Sequence, residues 1–130
     1  MTKQSEDEID RDEVLDRFIA VRDWTGAERF AHTVTVLWQR AESLGRLARE
    51  LDMTGLHDQA KRVRTVAVTV AREGELSSMP QDSLDSSSVL WELAVDFAQS
   101  GQREFAADVA QHIRNTGKRI RALQALGNAG

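Results

Sequence analysis

The chain has 130 residues, 41% of them hydrophobic, which is enough to bury the core of one domain without metal or disulfide support. It contains no cysteine, so disulfides and thiolate sites are excluded, and this composition suits a reducing cytoplasm. The net charge of −4 argues against general binding to nucleic-acid phosphates, and no apolar run approaches the roughly 18 residues of a membrane span. Arginine outnumbers lysine by 14 to 3, a bias that suggests a GC-rich bacterial genome.

The first half of the sequence predicts two helices. Residues 1–6 are polar and are predicted to form a disordered tail. Acidic residues then open a helix that should end near Trp24–Gly26, because negative charge is favourable at a helix N-terminus. From there the apolar positions alternate steps of four and three residues, which predicts one long helix over 27–52. A sharp kink near Trp38–Arg40 is the alternative.

The second half predicts four further helices, so that the chain is all-α with about five or six helices. After a turn at Asp52–Gly55, helical spacing of apolar residues continues to about Arg72. Residues 73–88 contain the only proline, six serines and no basic residue, and they are predicted to form an inserted loop. Helical spacing returns from Leu90 and is broken once more at residues 115–117.

One template recurs along the chain: apolar residues at helical spacing, a small residue, a glycine and, five residues later, an alanine. The copies are Leu90, Leu93, Ala94, Phe97, Gly101 and Ala106; Leu44, Leu47, Ala48, Leu51, Gly55 and Ala60; Leu15, Phe18, Ile19, Arg22, Gly26 and Ala31; and, in part, Leu123, Leu126 and Gly127. Glycine adopts the left-handed backbone that ends a helix, and the alanine lets a second helix approach closely. Each copy therefore predicts an antiparallel helical hairpin, and stacked hairpins would bury a continuous core.

This spacing resembles the tetratricopeptide repeat (TPR) and its looser relatives in bacterial proteins. The copies start at residues 15, 44, 90 and 123, which is 29, 46 and 33 residues apart, whereas the repeat family keeps close to 34. The resemblance implies one domain over 1–130 in which hairpins stack as a short α-solenoid or bundle. It also implies a non-catalytic protein–protein interaction module, an adaptor or scaffold that binds a partner peptide or helix. No membrane contact is expected, and assembly into a homo-oligomer is left open.

The predicted partner-binding residues lie between the core positions of the first helix of each copy. Trp91 and Val95 share a helix face that the core does not use, and the matching positions of the earlier copies include Arg49 and Asp16. The resemblance places the binding surface on these first helices. The four residues predict a groove with an apolar floor at one end, a basic group midway and an acidic far end. Packing of Trp91 between repeats is the alternative.

A second possible function comes from the middle of the chain. Residues Leu47–Thr54 resemble the first half of a DNA-binding helix-turn-helix, and basic Lys61, Arg62 and Arg64 follow. Acidic residues replace the turn glycine and the apolar anchor of that motif, and the chain as a whole is acidic. A nucleic-acid-associated regulatory protein is therefore the alternative function rather than the favoured one.

Signals of catalysis or metal binding are weak. Glu104, Asp108 and His112 lie at successive steps of four on one helix face, but no second helix has a matching column of metal ligands. No phosphate loop, zinc motif or nucleophile elbow occurs in the sequence. We therefore expect no enzyme activity, no catalytic residue, no metal and no cofactor.

Overall fold

The computed structural model describes the backbone of residues 3–128 and the side chains of residues 12–127. The described residues form seven α-helices and no strand, which confirms the all-α prediction and corrects the predicted number of five or six. The helices are α1 (Lys3–Ala20), α2 (Trp24–His32), α3 (Leu37–Met53), α4 (His57–Glu75), α5 (Pro80–Gln99), α6 (Arg103–Gln111) and α7 (Thr116–Asn128). No helix in this part of the chain is both long enough and apolar enough to cross a membrane.

The extra helix arises because the predicted helix over 27–52 is two helices, α2 and α3. They are separated at residues 33–36, upstream of the alternative kink at Trp38–Arg40. All four connecting residues are β-branched, and such side chains lose rotamer freedom in a helix. The Thr33 hydroxyl donates a hydrogen bond to the Phe30 carbonyl at 2.6 Å, which occupies a backbone acceptor at the end of α2.

The predicted loop over 73–88 is also wrong in extent, because only residues 76–79 lie outside helices. Pro80 starts α5, where a missing backbone N–H costs nothing. Several of the serines that suggested a loop instead make hydrogen bonds inside the structure. Ser87 donates to the buried carboxylate of Glu75 at 2.6 Å, and Ser83 donates to the Glu75 carbonyl at 2.9 Å. Two long helices, rather than an insertion, account for the wide spacing between the second and third template copies.

The predicted disordered tail, residues 1–6, falls partly outside the described chain. Residues 1 and 2 lie outside the described residues. Helix α1 begins at Lys3, so the remaining four residues of the predicted tail belong to a helix.

Three turns of the chain have the same geometry, and they define three helix pairs: pair 1 (α1 and α2), pair 2 (α3 and α4) and pair 3 (α5 and α6). The turns span residues 21–23, 54–56 and 100–102. In each turn the backbone N–H of the last residue donates to the carbonyl five residues earlier, at 2.9 Å. The middle residue of each turn has a left-handed backbone, with φ of 59° at Arg22, 88° at Gly55 and 85° at Gly101. Positions 22, 55 and 101 are therefore structurally equivalent.

This equivalence corrects the first template copy, whose turn position lies four residues too late in the sequence. Gly26 lies inside α2, where its N–H bonds the carboxylate of the N-cap Asp23 at 2.9 Å, and Arg22 holds the turn position that glycine holds in the other pairs. Four residues after the end of each turn stands an alanine with no exposed surface, namely Ala27, Ala60 and Ala106. Each second helix thus begins with a small side chain in the core, as the template predicts for Ala60 and Ala106; for the first copy the template names Ala31 instead of Ala27.

Helices α3 and α4 run antiparallel, because their far ends also meet. The start of α3 lies beside the end of α4: a Cβ on Gly74 would lie 3.5 Å from the Cβ of Leu37. That added Cβ would also clash with the Ser86 hydroxyl oxygen, so Gly74 lets α5 approach α4 as well. One apolar core runs through the molecule, from Leu15 in α1 to Ala122 in α7.

Contacts of charged side chains link the odd-numbered helices to one another and the even-numbered helices to one another. In the first set, Arg46 of α3 pairs with Asp16 of α1, Arg49 of α3 pairs with Asp96 of α5, and Lys118 of α7 lies over the Trp91 ring of α5. In the second set, Arg62 of α4 pairs with Glu28 of α2, and Arg72 of α4 pairs with Asp108 of α6. Charged side chains also connect the two sets, as Arg64 of α4 does with Asp52 of α3.

Candidate functional site

Two of the four predicted binding residues carry ion pairs within the chain. Asp16 pairs with Arg46, and the Nε of Arg49 lies 3.6 Å from a carboxylate oxygen of Asp96. Both predicted residues keep more than half of their side-chain surface exposed, 57% for Asp16 and 54% for Arg49. The structure therefore places the acidic and basic groups on the surface of the odd-numbered helices, where each is already partly neutralised.

The other two predicted residues lie on α5 next to α7. Trp91 is partly buried and packs against the core, with its indole N–H buried and without a hydrogen-bond partner in the described part of the chain. The Nζ of Lys118 lies 5.8 Å from the centre of its ring, a distance compatible with a cation–π contact. Val95 is partly buried one turn further along α5. Trp91 therefore belongs to the contact between α5 and α7.

The space between α3 and α5, where the predicted groove would lie, is nearly filled beside Gly45 and Leu93. A crevice of about 10 Å³ remains there. Nearer the C-terminal ends of the two helices, a wider cavity of about 280 Å³ is lined by Arg49, Asp96 and Ser100 among others. A Cβ on Gly45 would lie 3.0 Å from the Leu93 side chain, so the glycine allows a close approach of the two helices. Gly45 is thus a packing residue and not the floor of an open groove.

The last helix, α7, is the structural equivalent of α3. The α2–α3 and α6–α7 connections share the same pattern of backbone hydrogen bonds, 79 residues apart. In both connections an arginine side chain donates to a carbonyl six residues earlier: Arg40 to Val34 at 2.7 Å, and Arg119 to Ile113 at 3.3 Å. Each residue of α7 can therefore be compared with the residue 79 positions before it.

That comparison identifies an apolar face on α7 with no cover. Ile120 is 49% exposed and Leu123 is 37% exposed, whereas their equivalents Ala41 and Leu44 in α3 are 0% exposed. Helix α3 is covered by α4 and α5, which follow it in the chain, and within residues 3–128 no helix follows α7. We call Ile120, Leu123 and the exposed Gln124 and Gly127 the α7 face. The α7 face is the candidate functional site. None of the four predicted binding residues belongs to it.

A signal for this face was present in the sequence. The template's partial fourth copy consists of first-helix positions only, among them Leu123 and Leu126. A first helix without its second helix cannot bury its apolar stripe within its own hairpin. The template thus already contained the site, although its exposure was clear only from the structure.

A second notable feature is a buried arginine between pairs 2 and 3. Arg64 is 1% exposed, donates to the Asp52 carboxylate at 2.8 Å and to the Ser100 hydroxyl at 3.1 Å, and lies 5.4 Å from the centre of the Phe97 ring. Burial alone would raise the pKa of Asp52, but hydrogen bonds from His57, Arg64 and Ser100 lower it overall. A buried charge needs such partners, so this cluster has a clear structural role.

The same cluster does not have the geometry of a nucleophilic catalytic site. The Ser100 hydroxyl donates to Asp52 at 2.9 Å, and His57 Nδ1 contacts the other oxygen of the same carboxylate at 3.0 Å. A catalytic triad places the histidine between the serine and the carboxylate, so that the histidine can take the serine proton. Here the carboxylate lies between the other two groups, so His57 is not placed to take the Ser100 proton.

The basic residues behind the helix-turn-helix alternative are engaged with carboxylates. Arg62 makes two hydrogen bonds to Glu28, at 2.9 and 2.7 Å, and Arg64 is the buried arginine described above. Counterion release from a nucleic acid requires cations that can reach its phosphates. Only Lys61 of the three predicted contact residues is both exposed and outside these pairs.

The column of Glu104, Asp108 and His112, which the sequence does not favour as a metal site, takes part in other contacts. Asp108 lies 3.7 Å from Arg72, and His112 Nδ1 lies 2.7 Å from the Asp108 carbonyl. Among the residues with described side chains, no group of three or more histidine, aspartate or glutamate side chains is placed to hold a metal ion.

Comparison with known proteins identifies no relative of this chain. No protein-family model, no curated protein and no solved structure matches the chain. The resemblance to the tetratricopeptide repeat thus rests on the template residues, and the function has to be argued from the site.

Proposed function

We propose that the protein is a non-catalytic protein–protein interaction module, an adaptor or scaffold that binds a helix or peptide of a partner. The observation that carries this proposal is the exposure of Ile120 and Leu123 at positions that are fully covered in the equivalent helix α3. In the same proposal, the three helix pairs and α7 stack in the manner of a short TPR-like α-solenoid.

The free energy available on the α7 face supports docking. Burying a whole isoleucine or leucine side chain contributes about 1.5–3 kcal/mol, so covering the exposed parts of Ile120 and Leu123 is worth on the order of 1 kcal/mol each. Large contiguous apolar patches with a polar rim mark interaction sites on protein surfaces, and a partner helix on this face would cover both side chains together.

The predicted binding residues extend this proposal along the odd-numbered helices. Asp16 and Arg49 are exposed on odd-numbered helices, of which α7 is the last, and Trp91 and Val95 lie beside α7 itself. We include these four residues as a secondary contact region, in which a partner would exchange the existing ion pairs for its own. Weak surface ion pairs of this kind contribute less than about 1 kcal/mol each, so their exchange is inexpensive.

The composition supports two further parts of the proposal. The absence of cysteine and the excess of arginine over lysine fit a bacterial cytoplasmic protein. A complex between copies of the chain is tested together with partner binding below.

The proposal is tested by selecting binders for the full chain from a displayed library of amphipathic helical peptides. Selected peptides should bind the wild-type protein and lose binding to Leu123→Asp, because a charge then replaces an apolar contact. Val21→Asp is the matched control, since Val21 is 75% exposed in the turn of pair 1 and lies outside the α7 face. Circular dichroism should show both variants folded. Peptides that bind Leu123→Asp as well as wild type, or a library that yields no binder, would contradict the proposal.

A further inference from the structure

The helices that already cover first-helix faces in this protein share one chemical property. Each second helix places a fully buried alanine four residues after the turn, at Ala27, Ala60 and Ala106. One turn later, pairs 1 and 3 repeat this with Ala31 and Ala110, which are also fully buried. In these two pairs, the second helix therefore has two buried alanines at positions i and i+4, whereas pair 2 has Arg64 at the second position.

The α7 face provides large apolar side chains, against which a stripe of small residues could pack. Its side chains at 120 and 123 are isoleucine and leucine, so a close-packed partner must be small opposite them. In pair 2 the second helix runs antiparallel to the first, and the same direction is expected for a helix on α7. Shape thus specifies the occupant's stripe and its orientation.

Charge specifies the flanks of that stripe. Residues 116–128 contain Lys118, Arg119 and Arg121 and no acidic residue. Arg121, next to Ile120, is exposed. An acidic helix would be attracted to this surface, whereas a second α7 would bring three further positive charges to it. The charge argues against a dimer in which α7 packs on α7.

We propose that the α7 face receives an acidic amphipathic helix of a partner protein, antiparallel to α7, with small residues at i and i+4 facing Ile120 and Leu123. This inference rests on the proposed function and adds the chemistry of the partner. The occupant completes a fourth helix pair, with the small-residue stripe of α2 and α6 supplied by another protein.

A probe for this chemistry exists in the chain itself. A stapled helical peptide of residues 102–113 has the stripe Ala106 and Ala110, with Glu104 and Asp108 beside it. The staple lies on the opposite face and keeps the helix formed. Binding of the labelled peptide to the full-length protein is measured by fluorescence anisotropy and fitted to a Kd.

Peptide variants separate shape from charge. Changing both alanines of the peptide to leucine should weaken binding by about tenfold or more, because larger side chains prevent close approach. Changing both acidic residues of the peptide to lysine should also weaken binding, and the wild-type peptide should lose affinity as salt is added. A leucine peptide that binds as well as the alanine peptide would overturn the small-residue inference.

Protein variants locate the binding to α7. Leu123→Asp should weaken peptide binding by about tenfold or more, and Arg121→Glu should weaken it without any burial change, since that side chain is exposed. Val21→Asp is again the control. Equal binding to all variants would show that the peptide binds elsewhere, for example on α5 in place of α6, and would overturn the inference.

The outcomes for the inference and for the proposed function differ. If library helices bind at α7 but the alanine-striped acidic peptide does not, the proposed function stands and the partner chemistry is wrong. If no helix binds at α7, both are wrong. Sedimentation of the wild type as a dimer that Leu123→Asp converts to a monomer would assign the face to a second copy and overturn the inference.

Discussion

Pairs 1 and 2 have the same turn geometry but opposite chemistry at two equivalent positions. Eight residues after the end of the turn, pair 1 has Ala31 and pair 2 has Arg64, and both are buried. Three residues before the left-handed turn position, pair 1 has Ile19 and pair 2 has Asp52. At these two positions, pair 1 has apolar side chains, whereas the side chains of pair 2 form an ion pair.

The ion pair of pair 2 also makes a contact outside its own helix pair. Arg64 also donates to Ser100, which lies in the turn of pair 3, so the buried guanidinium connects pair 2 to pair 3. Apolar contacts tolerate small shifts of one helix against another, but hydrogen bonds to a buried charge have a narrow range of geometry. We infer that the cluster fixes the register of pair 3 against pair 2, whereas the apolar Ile19 and Ala31 leave pair 1 without this restraint at the equivalent positions.

The comparison is tested most strongly by removing one partner of the ion pair. Asp52→Ala should lower the free energy of unfolding by about 3 kcal/mol, because an arginine that is only 1% exposed loses its counterion. Asp58→Ala, an exposed carboxylate in the first turn of α4, is the control and should cost less than about 1 kcal/mol. Urea denaturation gives both values.

The apolar chemistry of pair 1 provides the second half of this test. In a variant with Asp52→Ile and Arg64→Met together, the buried charge of the cluster is gone, so most of the lost stability should return. If the double variant is less stable than Asp52→Ala alone, the ion pair is required by the packing of pair 2, and the comparison with pair 1 fails.

A smaller effect is expected from changing the left-handed turn residue of each pair. Gly55→Ala should cost about 1–2 kcal/mol, because its φ of 88° is unfavourable for a residue with a Cβ. A Cβ added at Gly55 would meet no described atom beyond its chain neighbours within 4 Å, so the cost is a backbone effect and not a clash. Arg22→Gly should stabilise pair 1 by up to about 1 kcal/mol for the same reason. Thermal unfolding of the two variants should therefore shift in opposite directions; shifts of the same sign would refute the equivalence of the turns.

The smallest effect concerns two carboxylates near Arg64 with opposite pH dependence. Burial raises the pKa of Asp96, only partly offset by Arg49 and Arg64, whereas the hydrogen bonds described above lower the pKa of Asp52. The contribution of Asp52 is present above the ordinary aspartate pKa of about 3.9 and is lost as pH falls through its lower folded value. For Asp96, stability falls as pH rises from about 3.9 through its raised value.

Replacing each carboxylate by its amide separates these two slopes. Asp52→Asn should make the protein less sensitive to acid, whereas Asp96→Asn should remove a loss of stability that otherwise develops as the pH rises above about 4. Stability measured by urea denaturation between about pH 3 and 7, on the order of five points, is sufficient to compare the slopes. Equal changes of slope in the two variants would contradict the opposite shifts.

The sequence predicted the fold correctly where the residue type matches the backbone conformation of its position. Gly55 and Gly101 stand at left-handed turn positions, and the template locates both turns correctly. In pair 1 the same backbone conformation is held by Arg22, which carries no sequence signal for it, so the template assigns the turn to Gly26 instead. Serines of residues 73–88 suggest a loop because their partner Glu75 cannot be known from the sequence to be buried beside them.

The candidate site was less predictable, because exposure depends on which helices meet. Trp91 was expected in an open groove or between repeats, and only the structure places it against Lys118 of α7. Gly45 gave no signal that it brings α3 close to Leu93. Ile120 and Leu123 were recognised as apolar helix positions, but their lack of cover follows from the absence of a helix after α7 within the described chain.

The contact between Lys118 and Trp91 has a spectroscopic consequence. The protein contains three tryptophans and no tyrosine, so its near-ultraviolet emission comes mainly from indole. Helix α7 packs on α5 and α6 from one side only, which is typical of segments that open without global unfolding. Opening of α7 would transfer the Trp91 indole from apolar surroundings into water and shift its emission to longer wavelength, while Trp24 and Trp38 stay in their own helices. The protein therefore contains a native optical reporter for the motion of its last helix.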